Sequence, residues 1–260
     1  MHPSSAIWDT SQHKPLLGSL LMFRKAIENL CVELEVDEFP VRFVVSDADA
    51  GQIQRIVGFV FEDCRMAPCS FSSTPVIGQL WPEDRSTRWY SSWYGIQEQC
   101  ELRGGTHTIK WQDTTSEYSD CYSCHLKIYS DSASADIDQA SLSHWQRFFA
   151  AEPNRKFILL GNDPYPDDIL YLSNVIHAEG IGLRTNQQLS LIPNTLGFIG
   201  SASGFSTAAV MSRIPYTIFK HPEHHPGEFL TPSFQGTFQD IIRAIDDFDT
   251  IRARFLSWAD

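Results

Sequence analysis

One segment of the sequence concentrates small and hydroxyl-bearing residues, FIGSASGFSTAA at residues 198–209. Small side chains that follow a buried strand allow a ligand to approach the backbone, and the N–H groups that open the next helix attract an anion. The spacing matches neither the dinucleotide-binding nor the phosphate-binding glycine motif, and a plain strand-to-helix turn uses the same residue types. We predict an anion-binding loop here, with ligand contacts from Ser201, Ser203, Gly204, Phe205 and Ser206.

The elements that would position this loop alternate regularly in the second half of the chain. Residues 157–160 are continuously apolar, which is typical of a strand in a parallel sheet covered on both faces. Apolar periodicity and turn residues predict further strands at 126–129, 174–177, 196–199 and 216–219, and helices at 140–151, 167–173, 186–192, 205–211 and 237–258. This order predicts a doubly wound parallel sheet.

The first half shows the same alternation less completely. A strand at 6–8, a helix whose apolar residues recur from Leu17 to Leu34, and a strand at 41–45 open a parallel βαβ unit. Residues 55–61 have the composition of a strand, although periodicity alone leaves a buried helix open. Short strands and loops are predicted for 64–120, including a half-exposed strand at 106–111.

Residues 157–219 resemble the C-terminal, donor-binding domain of GT-B glycosyltransferases, especially the heptosyltransferase and fucosyltransferase-like branches. FILLGN at 157–162 is similar to the family's apolar strand and glycine turn, and IPNTLGFIGSASGFSTAAVMSRIPY at 192–216 is similar to its diphosphate-binding loop and helix. The resemblance implies a nucleotide-sugar as substrate, no cofactor and no bound metal. It adds Gly161, Asn162 and Arg184 to the predicted binding residues, with Arg184 as the cation for the donor phosphates and Lys220 as a second candidate.

The N-terminal half resembles the same family through its first strand, PLLG at 15–18 and its long helix. The family usually carries Gly-Asp where this chain has Gly18-Ser19, and an acidic residue in that loop is the general base of the heptosyltransferase-like branch. Asp9 inherits this role, although it could equally be a loop or helix-entry residue. The expectation is an α/β protein with two Rossmann-like doubly wound halves, the N-terminal half reduced. Residues 1–120 would form the acceptor side and residues 121–260 the donor side.

Composition excludes several classes of partner. The formal net charge of −12 and the lack of a basic stripe oppose binding to nucleic acid or to an anionic membrane. Hydrophobic residues make up 42% of the chain, enough for a buried core, yet no apolar run approaches the ~20 residues of a membrane-spanning helix. The first residues lack the pattern of a signal peptide, so a cytoplasmic protein is expected. The oligomeric state is not specified by these patterns.

The cysteines resemble metal sites without completing one. CYSCH at 121–125 fits the pattern of c-type haem attachment, but attachment requires export. Cys64 and Cys69 could join this pair in a zinc site, but their spacing is loose and a second tight pair is missing. We therefore expect free, buried or half-buried thiols.

Clusters of histidine and aspartate elsewhere are interpreted as surface features. They are the histidines His221, His224 and His225 of a proline-rich turn, and the aspartates Asp246, Asp247 and Asp249 of the final predicted helix. Asp47-Ala-Asp49 has the D-x-D form of a metal-dependent GT-A transferase. The strand–helix alternation after residue 124 favours GT-B instead, so no metal site is predicted.

Three functions are open at this point. The first is a glycosyltransferase that moves a sugar from a nucleotide-sugar to an acceptor hydroxyl, using a base for the hydroxyl proton and backbone amides with a cation for the departing diphosphate. The second is a non-catalytic relative that binds a nucleotide, a sugar or a protein, which the short chain and the missing Gly-Asp favour. The third is another doubly wound enzyme, such as a sugar-nucleotide epimerase or a small hydrolase, although the chain has no G-x-S-x-G motif. The nucleotide, the sugar and the acceptor do not follow from the sequence.

Overall fold

The structure, a computed structural model, describes residues 5–11, 14–46, 48–73, 105–111, 116–128, 139–221 and 238–260. The chain divides into two compact units, Met1–Gln112 and Asp113–Asp260. Each unit contains a parallel sheet with helices between its strands, which confirms the predicted α/β fold class with two parallel halves. Within the described ranges, no helix is long and apolar enough to cross a membrane.

The N-terminal unit is built on a three-stranded parallel sheet in the order β1-β2-β3. Its elements are β1 (Ala6–Asp9), α1 (Leu17–Leu34), β2 (Val41–Val44), α2 (Ala50–Phe61) and β3 (Cys69–Ser72). The predicted strands at 6–8 and 41–45 and the long helix are confirmed. α1 ends where Glu35 takes the left-handed conformation at φ 55°.

The interpretation of residues 55–61 as a strand is wrong. They belong to α2, the helical alternative that periodicity left open. The buried residues Ile53, Val57 and Val60 recur at helical spacing. Because this repeat begins at Ile53, a window that starts at residue 55 contains too little of it to distinguish a helix from a buried strand.

A strand at 106–111 is also absent from the structure, which describes residues 105–111 without regular secondary structure. The main chain of this segment bonds to side chains of α1 rather than to a neighbouring strand. The Thr106 N–H donates to Asn29 Oδ1 at 2.9 Å, and the Thr108 carbonyl accepts from Lys25 Nζ at 2.9 Å. Side-chain groups on a helix therefore satisfy backbone groups that a sheet would otherwise pair.

These bonds belong to a buried charged face on α1. Arg24 is fully buried and pairs with Glu28 at 3.0 Å and with Asp63 at 2.6 Å, while Lys25 pairs with the same Glu28 at 3.1 Å. The Arg24 guanidinium also lies 4.5 Å from the centre of the Trp111 ring. Burial of these charges is compatible with a stable fold because each has an opposite charge or a carbonyl as partner.

The C-terminal unit contains a six-stranded parallel sheet in the order β6-β5-β4-β7-β8-β9. Its elements are β4 (Cys121–His125), α3 (Leu142–Ala151), β5 (Lys156–Leu159), α4 (Asp167–Leu170), β6 (Val175–His177), α5 (Thr185–Leu191), a 3-10 turn (Ile192–Asn194), β7 (Phe198–Ser201), α6 (Gly204–Val210), β8 (Tyr216–Phe219), β9 (Gln239–Ile242) and α7 (Phe248–Ala259). Counted from β4, the spatial order is 3-2-1-4-5-6, which is the order of a Rossmann sheet. The predicted doubly wound sheet is confirmed.

Two predicted elements of this unit are wrong. The strand expected at 126–129 lies earlier, at Cys121–His125, so that residues 126–128 already belong to the loop that follows it. The long helix expected at 237–258 is divided into the edge strand β9 and the helix α7. The Asp247 side chain accepts from the Thr250 N–H and starts α7 there, as aspartate does at helix N-termini.

Asp246 is not on a solvated helix face, as the sequence analysis expected, but is 7% exposed. Its carboxylate accepts hydrogen bonds from the Ser141 N–H, the Ser141 hydroxyl and the Trp145 indole. Trp145 lies in the core of the unit, where aromatic side chains from α3, β5 and α7 meet, among them Phe148, Phe149, Phe157 and Phe255. The carboxylate therefore fixes the start of α3 from the segment before α7.

Candidate functional site

The order of the second sheet reverses between β4 and β7, and the loops that follow these two strands leave the same edge of the sheet. In open α/β sheets, ligands bind in the crevice outside the carboxyl ends of the strands at this reversal. The two loops touch there, since the Lys127 N–H donates to Ser201 Oγ at 3.3 Å. The predicted anion-binding segment therefore lies at the position where the topology alone would place a ligand.

Two serine hydroxyls of this segment form the turn that leads into α6. The Ser203 N–H donates to Ser206 Oγ at 2.8 Å, and the Ser206 N–H donates to Ser203 Oγ at 3.3 Å, so the two residues cap α6 reciprocally. Ser206 is fully buried and Phe205 is 6% exposed. Ser203 and Gly204 are half-buried. Within the 201–206 segment, Ser203 and Gly204 are therefore the predicted residues nearest to solvent, and the Ser203 and Ser206 hydroxyls both serve the turn.

Gly161 follows β5, the strand next to β4, at a position that requires glycine. Its φ is +91°, and a Cβ would lie 2.8 Å from His125 Nε2, so a side chain is excluded by both conformation and space. Its N–H donates to Gln188 Oε1 at 2.7 Å in a buried bond. Asn162, the next residue, is exposed at the same edge.

Arg184 is placed away from this reversal. It is exposed, immediately precedes α5, and follows β6, which is separated from β4 by β5. Its N–H donates to Gln187 Oε1 at 2.9 Å. Lys220, the second candidate cation, directly follows β8, the strand beside β7, and is 2% exposed. By strand position, Lys220 is therefore nearer to the reversal than Arg184.

Asp9 belongs to the N-terminal unit and is the last residue of β1. Its Oδ1 accepts from the Ser11 N–H at 2.9 Å and from the Ser11 hydroxyl at 2.6 Å. One carboxylate oxygen thus closes the turn that leaves the strand. The structure does not place Asp9 in the same unit as the other predicted site residues.

The reversal also contains a buried histidine–aspartate pair that the sequence did not predict. His125 ends β4, is 6% exposed, and its Nε2 lies 3.1 Å from Asp163 Oδ2. Asp163 Oδ1 accepts from the Ile128 N–H at 3.1 Å, which ties the loop after β5 to the loop after β4. Because the strand was predicted too late in the sequence, at 126–129, His125 was placed just before it rather than at its end. A strand ending at His125 would have marked this residue as a candidate.

The cysteine and histidine clusters do not form a metal site in the part of the chain that the structure describes. Cys121 and Cys124 are buried in β4, three residues apart, so they lie on opposite faces of the sheet. His221 is half-buried after β8, while His224, His225 and Asp47 lie outside the described residues. The described cysteines are free thiols, as expected.

No protein-family model matches the chain, and no curated protein matches it significantly. Solved structures of glycosyltransferases are similar to it. The glycosyl transferase family 9 protein of Veillonella parvula DSM 2008 has a TM-score of 0.50 at 11% identity, over 93% of this chain and 85% of that chain. The heptosyltransferase TibC has a TM-score of 0.50 at 14% identity, over 89% of this chain and 61% of that chain. The chain has a GT-B-type fold.

A third similar structure, the E. coli heptosyltransferase WaaC, has a TM-score of 0.48 at 9% identity, over 93% of this chain and 95% of that chain. Identities of this size establish the fold and not the reaction. The GT-B-type fold was predicted from the resemblance of residues 157–219, and that prediction is confirmed. The sheet reversal and the small-residue loops described above belong to the second unit.

Proposed function

We propose that the chain binds a nucleotide-sugar through its C-terminal unit and transfers the sugar to an acceptor hydroxyl. The observation that supports this most is the coincidence of two features, the sheet reversal between β4 and β7 and the glycine- and serine-rich loops at its edge. Gly161 follows one strand and the Ser201–Gly204 turn follows another, so a phosphate at this edge would approach glycine backbone and the half-buried Ser203 and Gly204. The donor diphosphate would lie across these loops.

The proposed reaction needs two further groups. A cation stabilises the departing diphosphate, and a base accepts the proton of the acceptor hydroxyl. Lys220 and Arg184 are the candidates for the cation, and Asp9 is the candidate for the base. The chemistry requires no metal, since the charge on the leaving group is met by amides and a basic side chain.

The solved structure of TibC is a complex with ADP-D-beta-D-heptose. This supports testing adenosine diphosphate compounds first, although the C-terminal unit could accept another base. A thermal-shift screen of the whole chain with ADP, UDP, GDP, CMP and their sugar conjugates would identify the donor. A ligand at one hundred times its Kd stabilises the folded state by about 2.7 kcal/mol.

We expect one nucleoside diphosphate to raise the melting temperature and its parent nucleoside to raise it much less, because the predicted contacts are to phosphate. Ser203→Ala and Gly204→Ala should weaken this shift. Ser257→Ala is a control, because Ser257 is exposed on α7 and bonds only locally to the Arg254 carbonyl at 2.6 Å. The absence of a shift with every nucleotide would contradict the proposal.

A non-catalytic binding protein is the second candidate, and the geometry at Asp9 favours it. The bonds from Ser11 occupy one oxygen of the only carboxylate assigned as a base. Asp9→Asn distinguishes the two functions once a donor is known. If the chain is an enzyme, this variant loses transfer while donor affinity is unchanged. If wild-type chain binds the donor and transfers no sugar to any acceptor class, including water, the binding function is correct.

A further inference from the structure

The reversal in the second sheet contains a polar pair that no predicted role uses. His125 Nε2 and Asp163 Oδ2 are 3.1 Å apart, with side-chain exposures of 7% and 13%. A carboxylate accepts and does not donate, so the hydrogen between them belongs to Nε2. Asp163 therefore keeps a hydrogen on Nε2 and fixes the orientation of the ring.

The other ring nitrogen has no described partner. His125 Nδ1 is buried, and within the described part of the chain no group forms a hydrogen bond with it. Leaving a buried polar atom unsatisfied is costly, and such an atom calls for an explanation. The Nε2 and Cδ2 edge of the ring faces Gly161, where a Cβ would lie 2.8 and 2.9 Å from these two atoms. Nδ1 is on the opposite edge.

The groups that surround the His125 ring restrict its orientation. On the α6 side, the Phe205 ring lies 4.8 Å from the His125 ring at an interplanar angle of 30°. On the β7 side, Gly200 pairs with His125, and a side chain there would collide with the His125 backbone. The ring is thus bound by a carboxylate at one nitrogen and packed against an aromatic face, and Gly161 leaves the space that it occupies.

We propose that His125 Nδ1 forms a hydrogen bond with a phosphate oxygen of the donor diphosphate, and that Asp163 is the positioning residue that holds the imidazole for it. This inference rests on the proposed function. With hydrogens on both nitrogens, an imidazolium bridges the Asp163 carboxylate and a phosphate oxygen. The phosphate enters between the loops after β4 and β7, where the sheet opens at the reversal. His125 then supplies the anion with a donor from the strand end itself.

The test compares the Kd of ADP, UDP and GDP for four full-length proteins by titration calorimetry. His125→Gln retains much of the side-chain bulk, and Asp163→Asn retains a hydrogen-bond acceptor beside the ring. Lys156→Gln is the matched control for a lost hydrogen-bonding group, because Lys156 opens β5 at its opposite end and is 59% exposed. Each variant is melted without ligand to verify that its fold is intact.

For the diphosphate that the wild type binds, we expect Kd to rise about tenfold to a hundredfold in His125→Gln and to stay within about twofold in Lys156→Gln. Asp163→Asn should raise Kd for the diphosphate more than for its nucleoside monophosphate, a preference that general loosening of the fold would not produce. A Kd within twofold of wild type in His125→Gln would overturn the role of His125 and leave the proposed function intact. If the wild type binds none of the three, both proposals fail together.

Should His125→Gln not fold, the wild-type protein labelled with ¹⁵N-histidine provides a second measurement. The resonance of His125 is identified as the one displaced in Asp163→Asn. Saturation with the diphosphate should shift its Nδ1 signal, and an unchanged signal at saturation would overturn the inference.

Discussion

Gly200 of β7 pairs with His125 of β4 where the order of the second sheet reverses, and the absence of a side chain on Gly200 allows the two backbones to meet. A Cβ on Gly200 would lie 2.9 Å from the His125 nitrogen and closer still to its carbonyl oxygen. Backbone atoms cannot move aside as the end of a flexible side chain can. This close contact at the candidate site therefore restricts residue 200 to glycine.

Gly200→Ala should destabilise the C-terminal unit by about 1–3 kcal/mol, the range for overpacking in a core. Gly58→Ala is the control, because Gly58 lies within α2 with no atom within 4 Å of an added Cβ. That change should stabilise the protein by about 0.5–1 kcal/mol. Urea unfolding followed by circular dichroism measures both effects. Equal stability of Gly200→Ala and wild type would contradict the described packing.

The buried charged face of α1 leads to a second prediction. Arg24→Ala removes the guanidinium that pairs with buried Glu28 and half-buried Asp63 and that donates to the Val60 and Lys110 carbonyls, and it should cost about 3–5 kcal/mol of unfolding free energy. Arg55→Ala removes the same side chain from an exposed position in the same unit and should change stability by less than about 0.5 kcal/mol. If denaturant titrations gave similar small losses for both variants, the buried network would not be present in solution.

The N-cap of α7 provides a prediction with a defined pH dependence. The Thr250 N–H and hydroxyl hold the pKa of the Asp247 carboxyl below its ordinary value. A lowered folded pKa adds stability that is present above the unfolded pKa and is lost as the pH falls through the folded pKa. Asp247→Ala should cost about 1 kcal/mol at pH 7, and this difference from wild type should shrink below about pH 4.

Asp249→Ala is the control for this experiment, since Asp249 is exposed in the first turn of the same helix and its side chain is not the cap. Its loss should be smaller than that of Asp247→Ala at pH 7. A difference between wild type and Asp247→Ala that stays constant from pH 7 to pH 2.5 would contradict the assigned cap.

The buried thiols make a fourth prediction. Burial raises the pKa of the Cys31 and Cys121 thiols to about 11 and that of Cys69 to about 12. While these thiols are protonated, the raised pKa stabilises the folded protein relative to the unfolded one. This contribution to the free energy of unfolding is fully present below the unfolded pKa and is lost as the pH rises from about 9 towards 11. At pH 8 these thiols should react slowly with a disulfide reagent and rapidly after unfolding.

The labelling is best measured in a Cys100→Ser background, because Cys100 lies outside the described residues. Rapid reaction of the folded protein would show that one of the described thiols is accessible as a thiolate. If peptide mapping shows that Cys31 or Cys121 is the thiol that reacts, the described burial of α1 or of β4 would be contradicted.

Much of the fold follows from local pattern. The apolar repeat of α1 and the continuous apolar run at 157–160 each predict an element at nearly the right place, because one buried face or two buried faces determine the pattern. The predictions are wrong where contacts with distant parts of the chain determine the local structure. Residues 106–111 look like a strand but are bound by Arg24, Lys25 and Asn29, whose burial no periodicity of apolar residues reveals.

The candidate site was predictable in part for a similar reason. Ser201, Ser203 and Gly204 are local signals of a tight turn after a strand, and the structure places them at the sheet reversal. His125 and Asp163 are 38 residues apart in sequence and meet only because β4 and β5 are neighbours. Their pairing depends on strand order, which the sequence of either loop does not contain.

Hydrogen exchange with mass spectrometry can locate the donor site. It is measured on the full chain with and without the nucleoside diphosphate that gives the largest thermal shift. Saturating ligand should slow exchange in peptides covering residues 126–128, 161–163 and 201–204, while exchange at the amino ends of the same strands stays unchanged. Protection confined to peptides of the N-terminal unit, or no protection at saturation, would contradict a donor site at the reversal of the second sheet.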